Sequence, residues 1–274
     1  MNTSPFKNIV MISGRLKCGF AQVGTFLNLR DDTFIASTTT VGSDSHPAHT
    51  PDYLEIYMPS IINNNLFIHI DESTDADVQK YINEKFLKTT SGADLYAFKN
   101  FGYVMPCCPD HCEKVEKNIP YKTLKVVFLI RDDPRAWAIE RIWTGNLGPH
   151  NRDVTVESVS NHVGSVIQAY DDAMKTKDRM PLFVANVVND RETARESYDK
   201  IIEFVHGEPA NELQRKFIDE DVVVSPSELL KTSPIRDGSF LEFKEKHIND
   251  EALISADSIL EHPIYNQLNI IESS

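Results

Sequence analysis

The chain has 274 residues, 41% of them hydrophobic, 9% aromatic and 25% charged, which is globular composition in a length that carries one domain with its own core. Disorder, collagen and coiled coil are excluded on those values. Lys and Arg total 28 against 41 Asp and Glu, a formal net charge of −13, and a field of that sign repels phosphate backbones and anionic lipid, so neither nucleic acid nor a membrane is an expected partner.

In chain order, Lys7-Asn-Ile-Val-Met-Ile-Ser13 is a short apolar run that reads as a buried strand, followed by a loop over 14–17. From Gly19 the spacing of Phe20, Val23, Phe26 and Leu27 predicts a helix. Thr33–Ser37 reads as a second strand, and the Gly-, Ser-, His- and Pro-rich segment 41–51 as a loop. Leu66–Ile70 and the stretch 93–104 hold further strand candidates, with a helix over 75–87 between them. Leu124–Ile130 is the strongest strand signal, a β-branched and aromatic run typical of a sheet covered on both faces. A helix is predicted from Arg135 to Trp143, another over Val156–Met174, a strand over Pro181–Ala185 and an amphipathic helix over Glu192–Val205 that Gly207 and Pro209 stop. Residues 222–274 read as loops and short helices wrapped on the sheet. Alternating strands and helices imply an α/β fold with a central, mostly parallel sheet in a single domain over 1–274.

No stretch approaches the roughly 18 apolar residues of a membrane helix, and the first residues have no signal-peptide core, so a cytoplasmic protein is expected. Three of the four cysteines, Cys107, Cys108 and Cys112, crowd into Cys-Cys-Pro-Asp-His-Cys. Zinc sites present spaced pairs, and no second pair occurs, so no metal is expected there and the segment reads as a loop with incidental thiols. Trp137 and Trp143, on one helix, are expected in the core.

An acidic chain that takes an anionic ligand must do so with a few placed cations and backbone amides. Ser13-Gly-Arg-Leu-Lys-Cys-Gly19 lies between strand and helix, where amides and the helix dipole favour an anion, with Lys17 and Arg15 as local cations. The other reading is a tight turn with two solvated cations. The segment lacks the G-x-x-x-x-G-K-[ST] pattern, which disfavours a nucleoside triphosphatase or a small-molecule kinase. A second cation, Arg131, ends the best strand in Arg131-Asp-Asp-Pro-Arg135, where a guanidinium can hold phosphate with two parallel bonds.

The pair formed by that segment and the opening loop resembles the sulfotransferases that use 3′-phosphoadenosine 5′-phosphosulfate (PAPS), of the soluble bacterial natural-product type. Three further stretches fit in order: Pro181–Asp190 with the helix ending Ile202-Glu-Phe-Val-His-Gly207, Ser233-Pro-Ile-Arg-Asp-Gly238 near the C-terminus, and Tyr96-Ala-Phe-Lys99. The resemblance implies a three-layer P-loop-like fold. It implies that Lys17 contacts the sulfuryl group, that amides around Cys18, Gly19 and Phe20 cradle the 5′-phosphate beside Arg15, and that Arg131, Arg236 and Gly238 hold the 3′ end. Lys99, Phe101 and Tyr103 would border a small-molecule acceptor. For the base that takes the acceptor proton, the loop 41–51 offers Asp44, His46 and His49, with His46 or Asp44 favoured. An acidic loop suits a neutral or cationic acceptor, such as a guanidinium alkaloid, better than a sulfated glycan. The chain departs from the family in Phe20-Ala21, where Thr or Ser follows the loop glycine, in Phe101, and in an extra residue, Asp133, that brings Ile139 or Glu140 to a position usually held by Ser. These departures motivate a competing class, a nucleotide-binding or scaffold protein that keeps the fold without the chemistry.

Overall fold

A computed structural model describes residues 6–15, 18–27, 29–30, 32–37, 100–104, 121–143, 153–177, 181–187, 191–219 and 238–268. In chain order they form β1 (Phe6–Gly14), α1 (Phe20–Leu27), β2 (Thr33–Ser37), β3 (Asn100–Val104), β4 (Tyr121–Ile130), α2 (Pro134–Trp143), α3 (Val156–Lys177), β5 (Leu182–Asn186), α4 (Arg191–His206), α5 (Glu212–Phe217) and α6 (Gly238–His247). Two 3₁₀ helices, Glu251–Glu261 and Pro263–Gln267, follow.

The strands pair in parallel throughout, in the order β2-β3-β1-β4-β5. On the central strands Val10, Met11 and Ile12 are at most 1% exposed, and Val127, Leu129 and Ile130 are fully buried. Both faces are therefore covered, which is what an unbroken apolar run in a parallel sheet requires. The α1 connection carries the chain from β1 toward β2 at one edge, whereas α2 and α3 carry it from β4 to β5 at the other. Neighbouring strands β1 and β4 thus send their connections in opposite directions. The gap between their carboxyl ends is where an open parallel sheet takes ligands.

The main core joins β1, β4 and β5 to α1, α3 and α4; there Phe26 meets Tyr198 edge to face at 4.6 Å, a pairing that contributes about 1 kcal/mol beyond area burial. A smaller cluster under α2 packs Ala138, Ile139 and Ile142 on Val159, Phe240, Leu253 and Ala256. Trp137 is fully buried as expected, while Trp143 is half-buried against Phe240 and Phe243.

At the amino ends of the strands a buried polar network takes over. Asn8 donates to Asn100 Oδ1 at 2.8 Å and to the Val205 carbonyl at 3.2 Å, Asn100 reaches Thr33 Oγ1 at 3.3 Å, and Asn100 Nδ2 meets His206 Nδ1 at 3.0 Å. Lys125 donates to the Phe204 and Val205 carbonyls at 2.6 and 3.3 Å, satisfying the open carbonyl end of α4.

Several boundaries differ from expectation, β4 starting at Tyr121 and α3 running on to Lys177 among them, and one helix was unforeseen. The fifth strand starts at Leu182 instead of Pro181, because Pro181 has no N–H to donate and contributes its carbonyl to Val126 N at 3.0 Å. β1 runs on through Gly14, which pairs with Leu129. Helix α5 was not anticipated; a reciprocal cap starts it, Gln214 N donating to Asn211 Oδ1 at 2.8 Å and Asn211 N to Gln214 Oε1 at 3.1 Å. The expected strand over 66–70, the helix over 75–87, the loop over 41–51 and the cysteine cluster over 107–112 lie outside the described residues.

Candidate functional site

The bend between β1 and α1 is set by two glycines with positive φ, Gly14 at 142° and Gly19 at 87°, where any side chain would strain the backbone. Val23 N donates to the Gly19 carbonyl at 3.0 Å, the first bond of α1, so the amides of Phe20, Ala21 and Gln22 form the open end of that helix at the carboxyl end of β1. No acidic residue stands in the first turn, leaving the positive end of the helix dipole without a negative side chain of its own. Cys18 is fully buried, and its thiol lies near enough to Tyr170 and Tyr265 to add to the rise in both phenol pKa values. Burial is the larger cause of that rise, which takes Tyr265 to about 12.

On the adjacent strand, Ser13 pairs with Phe128 and Gly14 with Leu129, so Arg15 leaves β1 level with Ile130 and Arg131 follows one residue later. Arg131 is 4% exposed. Its Nε and Nη2 donate to the two Asp133 oxygens at 2.7 and 2.6 Å, and Nη1 donates to Glu140 Oε2 at 2.8 Å. Burial alone would lower the guanidinium pKa, but Asp133 and then Glu140 outweigh it and the net shift is upward. Trp137 lies 5.9 Å from the guanidinium carbon, and Tyr265 donates its hydroxyl to the Arg131 carbonyl. Tyr265 in turn meets Tyr170 at 3.3 Å, which ties the end of β4 to α3 and to the C-terminal 3₁₀ helix.

A third guanidinium, Arg141 on α2, is 2% exposed. Arg141, Arg131 and Arg15, from three separate elements, all depress the pKa of one side chain, His162 on α3. Burial is the first cause of that shift and the arginines the next, and together they take His162 to about 3, so the ring is neutral. Its Nδ1 and Nε2 have no hydrogen-bond partner among the described residues, and its ring stands edge-on to Trp137 at 5.1 Å. Three guanidiniums thus act on one buried ring, and one of them, Arg131, is itself paired with Asp133 and Glu140.

Of the residues read from sequence, the structure brings Arg15, Cys18, Gly19, the Phe20 amide and Arg131 to this one gap. Phe101 and Tyr103 lie on β3, whose Phe101 pairs with Ile9 and Tyr103 with Met11 of β1. Gly238 is the first residue of α6. Lys17, Asp44, His46, His49, Lys99 and Arg236 lie outside the described residues. Glu140 turns onto Arg131, and Ile139 is buried in the smaller core. Arg141, His162 and Tyr265 were missed. The readable signal for His162 was its place on the apolar stripe Val159, Val166, Ala169, Tyr170 and Ala173 of α3, where a histidine is out of character.

No family model matches the chain, and no curated protein matches it in sequence. Among solved structures it is similar to the sulfotransferase domain from the Synechococcus PCC 7002 olefin synthase, at 11% identity and a TM-score of 0.48, over 96% of this chain and 97% of that one. Among the described residues no helix is long and apolar enough to cross a membrane.

Proposed function

We propose that the protein is a PAPS-dependent sulfotransferase acting on a hydroxyl or amine of a small, cationic, guanidinium alkaloid-like metabolite. The observation that carries this reading is the convergence of the Gly14–Gly19 bend and Arg131 at the gap where β1 and β4 part. A nucleotide with phosphates at both ends needs two anion sites on neighbouring strands, one made of amides and one of guanidinium, and the α1 amides and Arg131 at that gap support this reading. In this reading the fold is the three-layer P-loop-like one, since right-handed crossovers in opposite directions put α1 and α2 on opposite faces.

When bound, the donor supplies an activated sulfuryl group whose sulfur–oxygen bond to the 5′-phosphate breaks as the acceptor bonds to sulfur. The chain's own part is to hold and polarise. The amides of Gly19 and Phe20 with Arg15 bind the 5′ end, and Lys17 stabilises the charge left on the bridging oxygen. Arg131, with Arg236 and Gly238, takes the 3′ end. His46 or Asp44 accepts the proton released by the acceptor, and Lys99, Phe101 and Tyr103 border it.

A second reading, a nucleotide-binding or scaffold protein without turnover, draws support from Arg131, whose fork is engaged by Asp133 and Glu140. Transfer of labelled sulfate from PAPS to a panel of guanidinium and amino acceptors separates the two. Turnover that falls about 10²-fold or more in Lys17→Ala supports the enzyme. Tight binding of adenosine 3′,5′-bisphosphate with no transfer to any acceptor supports the scaffold, and binding of neither nucleotide refutes both.

A further inference from the structure

Arg131 leaves β4 with carboxylate already in its fork. The two Asp133 oxygens sit 2.7 and 2.6 Å from Nε and Nη2, the parallel arrangement in which a guanidinium holds phosphate. The two acidic partners are not equivalent. The Glu140 side chain is 6% exposed and fixed within α2, whereas that of Asp133 is 29% exposed and stands in the short turn between strand and helix.

Asp133 also precedes α2: Trp137 N donates to its carbonyl at 2.9 Å, the first bond of the helix. A carboxylate that leaves Arg131 from this position stands beside the first-turn amides of Arg135 and Ala136. Aspartate is among the best residues for capping such an end, and the helix dipole favours its charge there. The side chain therefore has two places to put one negative charge.

We propose that Asp133 is an internal occupant of the ligand's place on Arg131: an incoming phosphate group takes the fork, and Asp133 swings away to cap α2. The proposal rests on reading the gap as a nucleotide site and deepens it, because it names the residue that sets affinity and selects the charge of the ligand. Asp133 and Glu140 neutralise a guanidinium that would otherwise be buried as a bare charge. A monoanion gains nothing by displacing a carboxylate, whereas a phosphate dianion does, so the exchange favours phosphate monoesters.

Asp133→Ser keeps an oxygen to cap α2 and removes the charge from the fork, and Asp133→Asn keeps the shape without the charge. Wild type and both variants, as full chains, are titrated in a calorimeter with adenosine 3′,5′-bisphosphate and separately with inorganic phosphate, and thermal unfolding identifies any variant that has not folded. Both probes are expected to bind the variants about tenfold more tightly than wild type, the difference made by one charge-assisted contact. Equal or weaker binding of inorganic phosphate by the variants overturns the exchange, whatever the nucleotide does. If phosphate binding tightens while no protein binds the bisphosphate, the exchange stands and the nucleotide reading falls. Asp133→Asn decides the outcome should the serine variant fail to fold.

Discussion

Two histidines are buried in the neutral form, at opposite ends of the sheet, and this ties the stability of the fold to pH. His206 is lowered from 6.5 to about 4, first by burial and then by Arg30, with Lys125 adding and Asp32 and Glu208 opposing. His162 is lowered to about 3 by burial and by Arg141, Arg131 and Arg15. At His206 the geometry gives the same direction: the Asn100 amide nitrogen can only donate, so Nδ1 at 3.0 Å must accept, and a proton on Nδ1 breaks the network. With folded values below the unfolded one, the unfolded chain takes up protons first, so stability is full above pH ~6.5 and is lost as pH falls toward the folded values. At pH 5 each histidine removes about 2 kcal/mol, and the pair about 4 kcal/mol. His206→Asn keeps an oxygen to accept from Asn100 and has no proton to gain. Urea unfolding of wild type and variant from pH 7.5 to pH 5 should show the two curves converging by about 2 kcal/mol toward acid, with contributions from carboxylates cancelling in the difference. Parallel curves across that range would refute the buried neutral state of His206.

Arg131→Met removes the cation that neutralises Glu140, itself 4% exposed, and is expected to destabilise the protein by about 3–5 kcal/mol in urea unfolding. Adding Glu140→Leu should restore most of that loss, and a double variant as unstable as the single one would argue against the pair. Tyr265→Phe deletes the hydroxyl that holds the Arg131 carbonyl and reaches Tyr170. A loss of about 1–2 kcal/mol in unfolding is expected, together with weaker binding of adenosine 3′,5′-bisphosphate in calorimetry, and unchanged binding would remove Tyr265 from the support of the site.

Local signals in the chain located most of its described elements, α5 excepted. Thr33–Ser37 is the observed β2 residue for residue, and the helices beginning near Arg135 and Val156 are α2 and α3, because period and boundary residues act within a few positions. Strand order is a different matter. That β4 pairs beside β1 while β2 and β3 lie on its other side depends on contacts across more than a hundred residues, which no local pattern encodes. The site divides in the same way. Gly14, Gly19 and Arg131 were visible as a strand exit, a helix entry and a terminal guanidinium. The carboxylates on Arg131 were visible only as anomalies: Asp133 as an extra residue and Glu140 as a charge on the buried face of a helix, next to Arg141. Their meaning needed the register that turns both onto one guanidinium. Arg141 and His162 stayed hidden because their significance lies in the approach of α2 to α3 near the exit of β1, a tertiary fact.

A crystal structure of the full chain grown with adenosine 3′,5′-bisphosphate bears on the site without any assumption about the acceptor. The nucleotide is expected across the β1–β4 gap, its 5′-phosphate on the amides that follow Gly19 and its 3′-phosphate on Arg131. Density for it elsewhere, for instance in the groove of about 670 Å³ lined by Arg195 and Arg215, would contradict that placement.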